Sequence, residues 1–133
     1  MATIEQFEDI EGWKAARVLT GMVYDVTGEG RFVKDRRLRN QITGAAISVM
    51  ANIAKGFGSD TNAQFITFLG YARRPAVEMQ SLLHIALDRQ YVSQEQFDTI
   101  YKQAQKTANV IGGFVRYLRT YQDPRRAKSG VRC

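Results

Sequence analysis

Apolar residues recur at Leu38, Ile42, Ala45, Val49 and Ile53, in steps of three or four positions. This spacing keeps one face of an α-helix dry, so the rest of the chain has to cover that face. Asn52 lies inside the run, which stops at Gly56-Phe57-Gly58, residues that continue a helix only at a cost. Three further stretches repeat the period. Trp13, Ala16, Thr20, Val23 and Tyr24 form the inner face of a helix over about residues 9–27, ended by Gly28-Glu29-Gly30. Phe65, Phe68, Leu69, Ala72, Met79, Leu82, Leu83 and Ala86 mark another over about 60–89. Phe97, Ile100, Ala104, Ala108, Ile111, Phe114, Val115 and Leu118 mark the last over about 93–120. With the stretch 35–55 these are four long helices, and no strand-like alternation of useful length appears. Short connections make successive helices antiparallel neighbours, so the expected fold is all-α: an up-down-up-down four-helix bundle over residues 1–121.

The helix starts are written locally. Asp35 is a good N-cap, because its carboxylate accepts from a free first-turn N–H. Thr61 with Gln64, and Ser93 with Gln96, fit capping boxes, and Val92 is placed to staple onto Phe97. Pro75 breaks the third helix's pattern by removing one hydrogen bond and crowding the Tyr71 carbonyl. The apolar spacing resumes in phase at Met79, which favours a kink over two separate segments. Beyond Pro124 the basic, Gly-containing end of 122–133 reads as a disordered tail whose deletion leaves stability unchanged.

The 133 residues suffice for one domain with a real core, and 44% apolar with 24% charged is ordinary globular composition. No apolar run approaches the roughly 20 residues of a membrane span. The start lacks a basic segment followed by an apolar one, so no secretory signal is expected. A single cysteine, Cys133, excludes an internal disulfide framework and suits the cytoplasm. The net charge of +6 and pI near 9.7 favour polyanions as partners. The charge is localised: Arg31, Lys34, Arg36, Arg37 and Arg39 stand against Asp35, and Arg125, Arg126, Lys128 and Arg132 against Asp123.

The pattern Q-I-x-x-A-A-x-S-(x)3-N-I-A-x-G-F-G within residues 38–58, with FEDIEGWKAARVLTGMVYDVT at 7–27 and FITFLGYARRPAVEMQSLLHIALDRQYV at 65–92, resembles the bacterial four-helix-bundle family of 23S rRNA intervening-sequence proteins. That family includes relatives of the accessory variability determinant of diversity-generating retroelements. The resemblance covers most of residues 7–120. It implies a homo-oligomeric, five-subunit barrel and, through the accessory relatives, docking onto a reverse transcriptase. The family usually has a small residue where this chain has Pro75.

Catalytic chemistry finds little support. His84 is the only histidine, so neither a Cys/His pair nor a His-rich metal cage is expected, and no enzyme activity, cofactor or metal. His84 and Asp88 lie four apart and invite a structural pair; Glu78 invites a bond to Asn52 or a tyrosine; Asn52 reads as satisfying donors near its helix end. Gly56-Phe57-Gly58 lacks the third glycine of a dinucleotide loop and the Lys-Ser/Thr of a P-loop. Tyr117 and Tyr121, interleaved with Arg116, Arg119 and Arg125, are candidates for base stacking, with an amphipathic helix end as the alternative.

The cations carry the functional expectation. Arg36, Arg37 and Arg39 crowd the end of a helix where the dipole is already positive, an arrangement that a bound phosphate would reverse. The nucleic-acid-binding candidates are therefore Lys34, Arg36, Arg37 and Arg39, then Arg73 and Arg74, then Arg116, Arg119, Arg125 and Arg126. In an antiparallel bundle they fall at one end, the middle and the other end. The expected function is a non-enzymatic, oligomeric scaffold binding RNA or DNA through phosphates, with docking onto a reverse transcriptase as the alternative. Outward-facing Val18, Met22, Ile47 and Met50 add apolar surface suited to a subunit interface.

Overall fold

The structure is a computed structural model that describes residues 3–125. Four helices account for most of it: α1 (Glu11–Thr27), α2 (Arg36–Phe57), α3 (Asn62–Asp88) and α4 (Gln94–Thr120). Short 3-10 turns at Phe7–Asp9 and Gly30–Lys34 precede α1 and α2. Cross-helix contacts fix the directions. Asn62 Nδ2 donates to Leu118 O, Arg73 Nε to Ala108 O and Gln80 Nε2 to Gln105 Oε1, so α3 and α4 run antiparallel. Each helix packs on its two sequence neighbours around a ring closed by α1 against α4. The fold is the expected up-down-up-down bundle, without a strand among the described residues.

The seam of α2 is buried as its spacing predicts, at Leu38, Ile42, Ala45, Val49 and Ile53. Both capping boxes form, and Asp35 Oδ1 accepts from the Leu38 N–H at 3.0 Å. Val92 and Phe97 are both buried at the α4 entry. Two inner positions of α1 turn out differently. Tyr24 is 50% exposed, because Val23 and Val26 take the core seam and leave Tyr24 about 100° outside it. Thr20 sits on the α1–α2 seam and donates to Ala16 O at 2.8 Å, with the Met50 sulfur at 3.3 Å.

Gly56 does not end α2, which continues through Phe57. Its missing side chain serves packing instead: a Cβ there would stand 3.0 Å from both Phe65 Cδ1 and Phe68 Cβ. Pro75 lies buried inside an uninterrupted α3 rather than between two helices. The α3 terminus is a Schellman arrangement, with the Tyr91 N–H bonded to Ala86 O and the Gln90 N–H to Leu87 O. Gln90 carries the left-handed φ of 60° that this motif requires. Gln90→Gly therefore raises stability by about 0.5 kcal/mol, since relief of roughly 1 kcal/mol of strain is partly offset by glycine's unfolded-state entropy. Urea unfolding checks it, and a loss of stability would contradict the strain.

Of the expected tail at 122–133, residues 122–125 depart from expectation and 126–133 lie outside the described residues. The described part of 122–133 packs against the bundle. The Ile4 N–H donates to Pro124 O at 2.8 Å, in register with a parallel bridge between Ile4 and Arg125. Arg125 is only 7% exposed and is folded under the α2–α3 turn.

Candidate polyanion-binding site

One end of the bundle collects the loop before α2, the α2 N-terminus and the α3–α4 turn. Gly30, at φ +54°, starts the 3-10 turn that turns Phe32 fully into the core. The flanking Arg31 and Lys34 stay exposed. Tyr91 packs on Phe32 at 5.2 Å, and the Arg31 guanidinium sits 5.7 Å over the other ring's centroid, that of Tyr91. Arg31 Nη2 also donates to the Arg89 carbonyl at 2.7 Å, which ties the two loops together. Arg31, Lys34, Arg36, Asp35 and Tyr91 line a shallow cavity of about 490 Å³.

Asp35 changes the electrostatics of that cavity. Its Oδ1 caps α2, and its Oδ2 accepts from the Tyr91 hydroxyl at 3.0 Å. The helix N-terminus thus already has a carboxylate, and an incoming phosphate would meet side-chain cations beside a partly neutralised helix end. Lys34, Arg36, Arg37 and Arg39 are exposed and form no ion pair among the described residues. The structure divides the arginine trio: Arg36 joins Arg31 and Lys34, whereas Arg37 lines a separate hollow with Gln41, Leu82 and Ile85. Arg39 lines neither. Sequence spacing groups Arg31 with this basic cluster but gives no place in it to Arg89, because only the fold brings the α3–α4 turn beside Arg31.

The remaining candidates scatter. Arg74 lies 5.6 Å over Tyr71 beside the α2–α3 groove, while Arg73 reaches the opposite way, onto α4. Arg116 and Arg73 both approach the open side of Gly112, and Arg119 is exposed. Arg125 has its guanidinium committed within the fold. Its Nη1 donates to Gly56 O, Phe57 O and Ser59 O, its Nε and Nη2 bind Asp123, and its guanidinium stacks 4.5 Å from Phe65. Arg126 lies outside the described residues, as does Cys133. Tyr117 and Tyr121 pack with tilted rings at 5.0 Å, but Tyr117 lines an apolar groove with Ile4, Ile10 and Phe114, a lining that does not include Arg116.

A match to a known family bears on this arrangement. The family model of the 23S rRNA-intervening sequence protein fits residues 8–113. The chain belongs to this family. A crystal structure from Bacteroides thetaiotaomicron VPI-5482, of a protein with unknown function from the S23 ribosomal protein family, is similar in fold. It aligns with a TM-score of 0.71 at 18% identity, covering 79% of this chain and 98% of that one. No curated protein is similar to the chain. Residues of α2 that belong to the pattern at 41–58 have structural tasks here. Asn52 Nδ2 donates to Ser48 O at 2.9 Å, so it serves an acceptor rather than a donor. Ser48, Asn52 and Gly44 line the polar α2–α3 groove with Tyr71, Arg74 and Glu78, about 750 Å³ in volume. Glu78 accepts from Gln41 Nε2 at 2.7 Å, not from Asn52 or a tyrosine. His84 packs on Phe97 and Tyr101 rather than pairing with Asp88. No group of three potential ligands for a metal occurs among the described residues, and none of their helices is long and apolar enough to cross a membrane.

Proposed function

We propose that the chain is a non-enzymatic, homo-oligomeric scaffold that binds RNA or DNA through phosphate contacts. The observation that carries this reading is the cavity formed by Arg31, Lys34 and Arg36, whose single carboxylate, Asp35, is already committed to Leu38 and Tyr91. Cations left without counter-ions repel one another and gain when a polyanion arrives. Base readout plays little part, since the cations project from a helix end and the turn before it rather than from a groove-reading module. Replacing Arg36, Arg37 and Arg39 together with Glu is expected to weaken binding to single-stranded RNA and DNA alike. An unchanged affinity in a folded variant would exclude this end as the site. A wild type that binds no polynucleotide at low salt would favour a protein partner instead, such as a reverse transcriptase.

Assembly is supported by surface composition. Val18 and Ile47 are each 51% exposed, and Tyr24, Tyr71, Val77 and Ile85 are comparably open. Met22 and Met50 are half-buried, so they add less than their outward spacing promises. Apolar residues on several faces fit a ring in which each subunit touches two others, and the family resemblance favours five. Light scattering at micromolar concentration should give several times 15.1 kDa. A monomer mass would contradict it.

A further inference from the structure

We infer that Arg73 and Arg116 form a two-guanidinium clamp for one phosphate group on the outer α3–α4 face. The site is distinct from the Arg31–Arg36 cavity, and a free phosphate would satisfy it as well as a phosphodiester. Gly112 makes the meeting possible. A β-carbon at that position would lie 3.3 Å from Arg73 Nε, 3.8 Å from Arg73 Cδ and 3.7 Å from Arg116 Nη1. Two exposed arginines from different helices therefore share the space that any other residue's side chain would begin to fill. Arg73 is held there by donating from Nε to the Ala108 carbonyl at 3.3 Å, which leaves both of its terminal nitrogens for a ligand.

With both guanidinium groups approaching one point, to 3.3 and 3.7 Å, an anion placed between them gains from both charges. No carboxylate of α3 or α4 supplies that anion. Neither arginine has an ion-pair partner among the described residues. Along α3 no acidic residue occurs between Asp60 and Glu78, and along α4 none occurs between Asp98 and Asp123. Asn109 shares the α4 face, three and seven residues before Gly112 and Arg116. Its Oδ1 accepts from Gln105 Nε2 at 3.0 Å, so its Nδ2 group remains a further donor. Planar guanidinium forks without ion-pair partners and an amide donor suit the oxygens of a phosphate better than those of a carboxylate, which has two rather than three or four to share.

Phosphate titration followed by NMR of the arginine Nε–Hε signals tests the clamp on the intact chain. Inorganic phosphate should shift the Arg73 and Arg116 signals together and saturably. Arg73→Gln and Arg116→Gln should each weaken that binding by at least about tenfold, the scale of losing a charged hydrogen bond. The charge reversal of Arg36, Arg37 and Arg39 should leave it intact. Non-saturating shifts, or equal shifts at every arginine, would overturn the clamp. A fluorescein-labelled oligouridylate separates the sources. Weaker oligouridylate binding by the Arg73→Gln, Arg116→Gln double variant assigns the clamp to a polynucleotide, and unchanged binding assigns it to free phosphate. Failure of the wild type to bind oligouridylate, with phosphate still held, would overturn only the polynucleotide function.

Discussion

Arg125→Ala is expected to destabilise the fold by about 3 kcal/mol, a large part of the stability of a domain this size. The guanidinium satisfies three carbonyl groups at the α2–α3 turn, from Gly56, Phe57 and Ser59, at 2.6–3.2 Å. It also pairs with Asp123 at 2.7 Å and lies over Phe65. Alanine would strand those acceptors beneath the chain end and leave Asp123 without this arginine. Asp123 keeps 27% side-chain exposure and rehydrates in part, which holds the loss to the lower end of the range for a broken buried pair. Arg125→Lys should recover little, since a point charge cannot serve three carbonyls and an aromatic face at once. Guanidinium unfolding reads the result, and a loss below about 0.5 kcal/mol would show that water replaces Arg125 freely. The same interactions bear on truncation: ending the chain at residue 121 removes the clasp and should cost comparably, contrary to the expectation for a solvated tail.

Phe32→Ala should cost about 3 to 5 kcal/mol, the usual range for emptying a fully buried aromatic site. Phe32 is the only fully buried side chain of its 3-10 turn, and Tyr91 packs directly on it. Losing it also loosens the turn that presents Arg31 and Lys34. Where the variant still folds, polynucleotide affinity should fall although no cation has been changed. Unaltered affinity with a lowered melting temperature would show that the turn's position does not matter to binding.

The helices are legible in the sequence because their signals are local. Asp35, Thr61 with Gln64, and Ser93 with Gln96 sit within a few residues of the groups they cap, and the seams follow a fixed period. The role of Arg125 is not legible, because its acceptors lie 66–69 residues earlier in the chain and a basic stretch after a proline has no period to read. Phe32 is hidden for a related reason: a single buried ring between Arg31 and Val33-Lys34 makes no pattern. Gly56 reads as a helix stop, whereas its role depends on Phe65 and Phe68 across the turn. Among the cations, sequence identifies the crowded α2 start but not its division. Arg36 turns toward Arg31 and Lys34, and Arg37 toward Leu82 and Ile85, because helices on both sides of α2 divide its surface.

The salt dependence of polynucleotide binding tests the central claim most directly. Fluorescence anisotropy of a labelled oligonucleotide across a salt series gives the slope of log affinity against log salt, with circular dichroism confirming the fold. Each neutralised phosphate adds about 0.7 to 0.9 to that slope. The wild type should show a steep slope. The Glu variant of Arg36, Arg37 and Arg39 should bind more weakly, with a slope shallower by about 0.7 to 0.9 for every phosphate it no longer neutralises. Its fold should persist, since the three side chains are exposed and acidic groups suit a helix N-terminus. A folded variant with the wild-type slope would contradict phosphate binding at this end of the bundle.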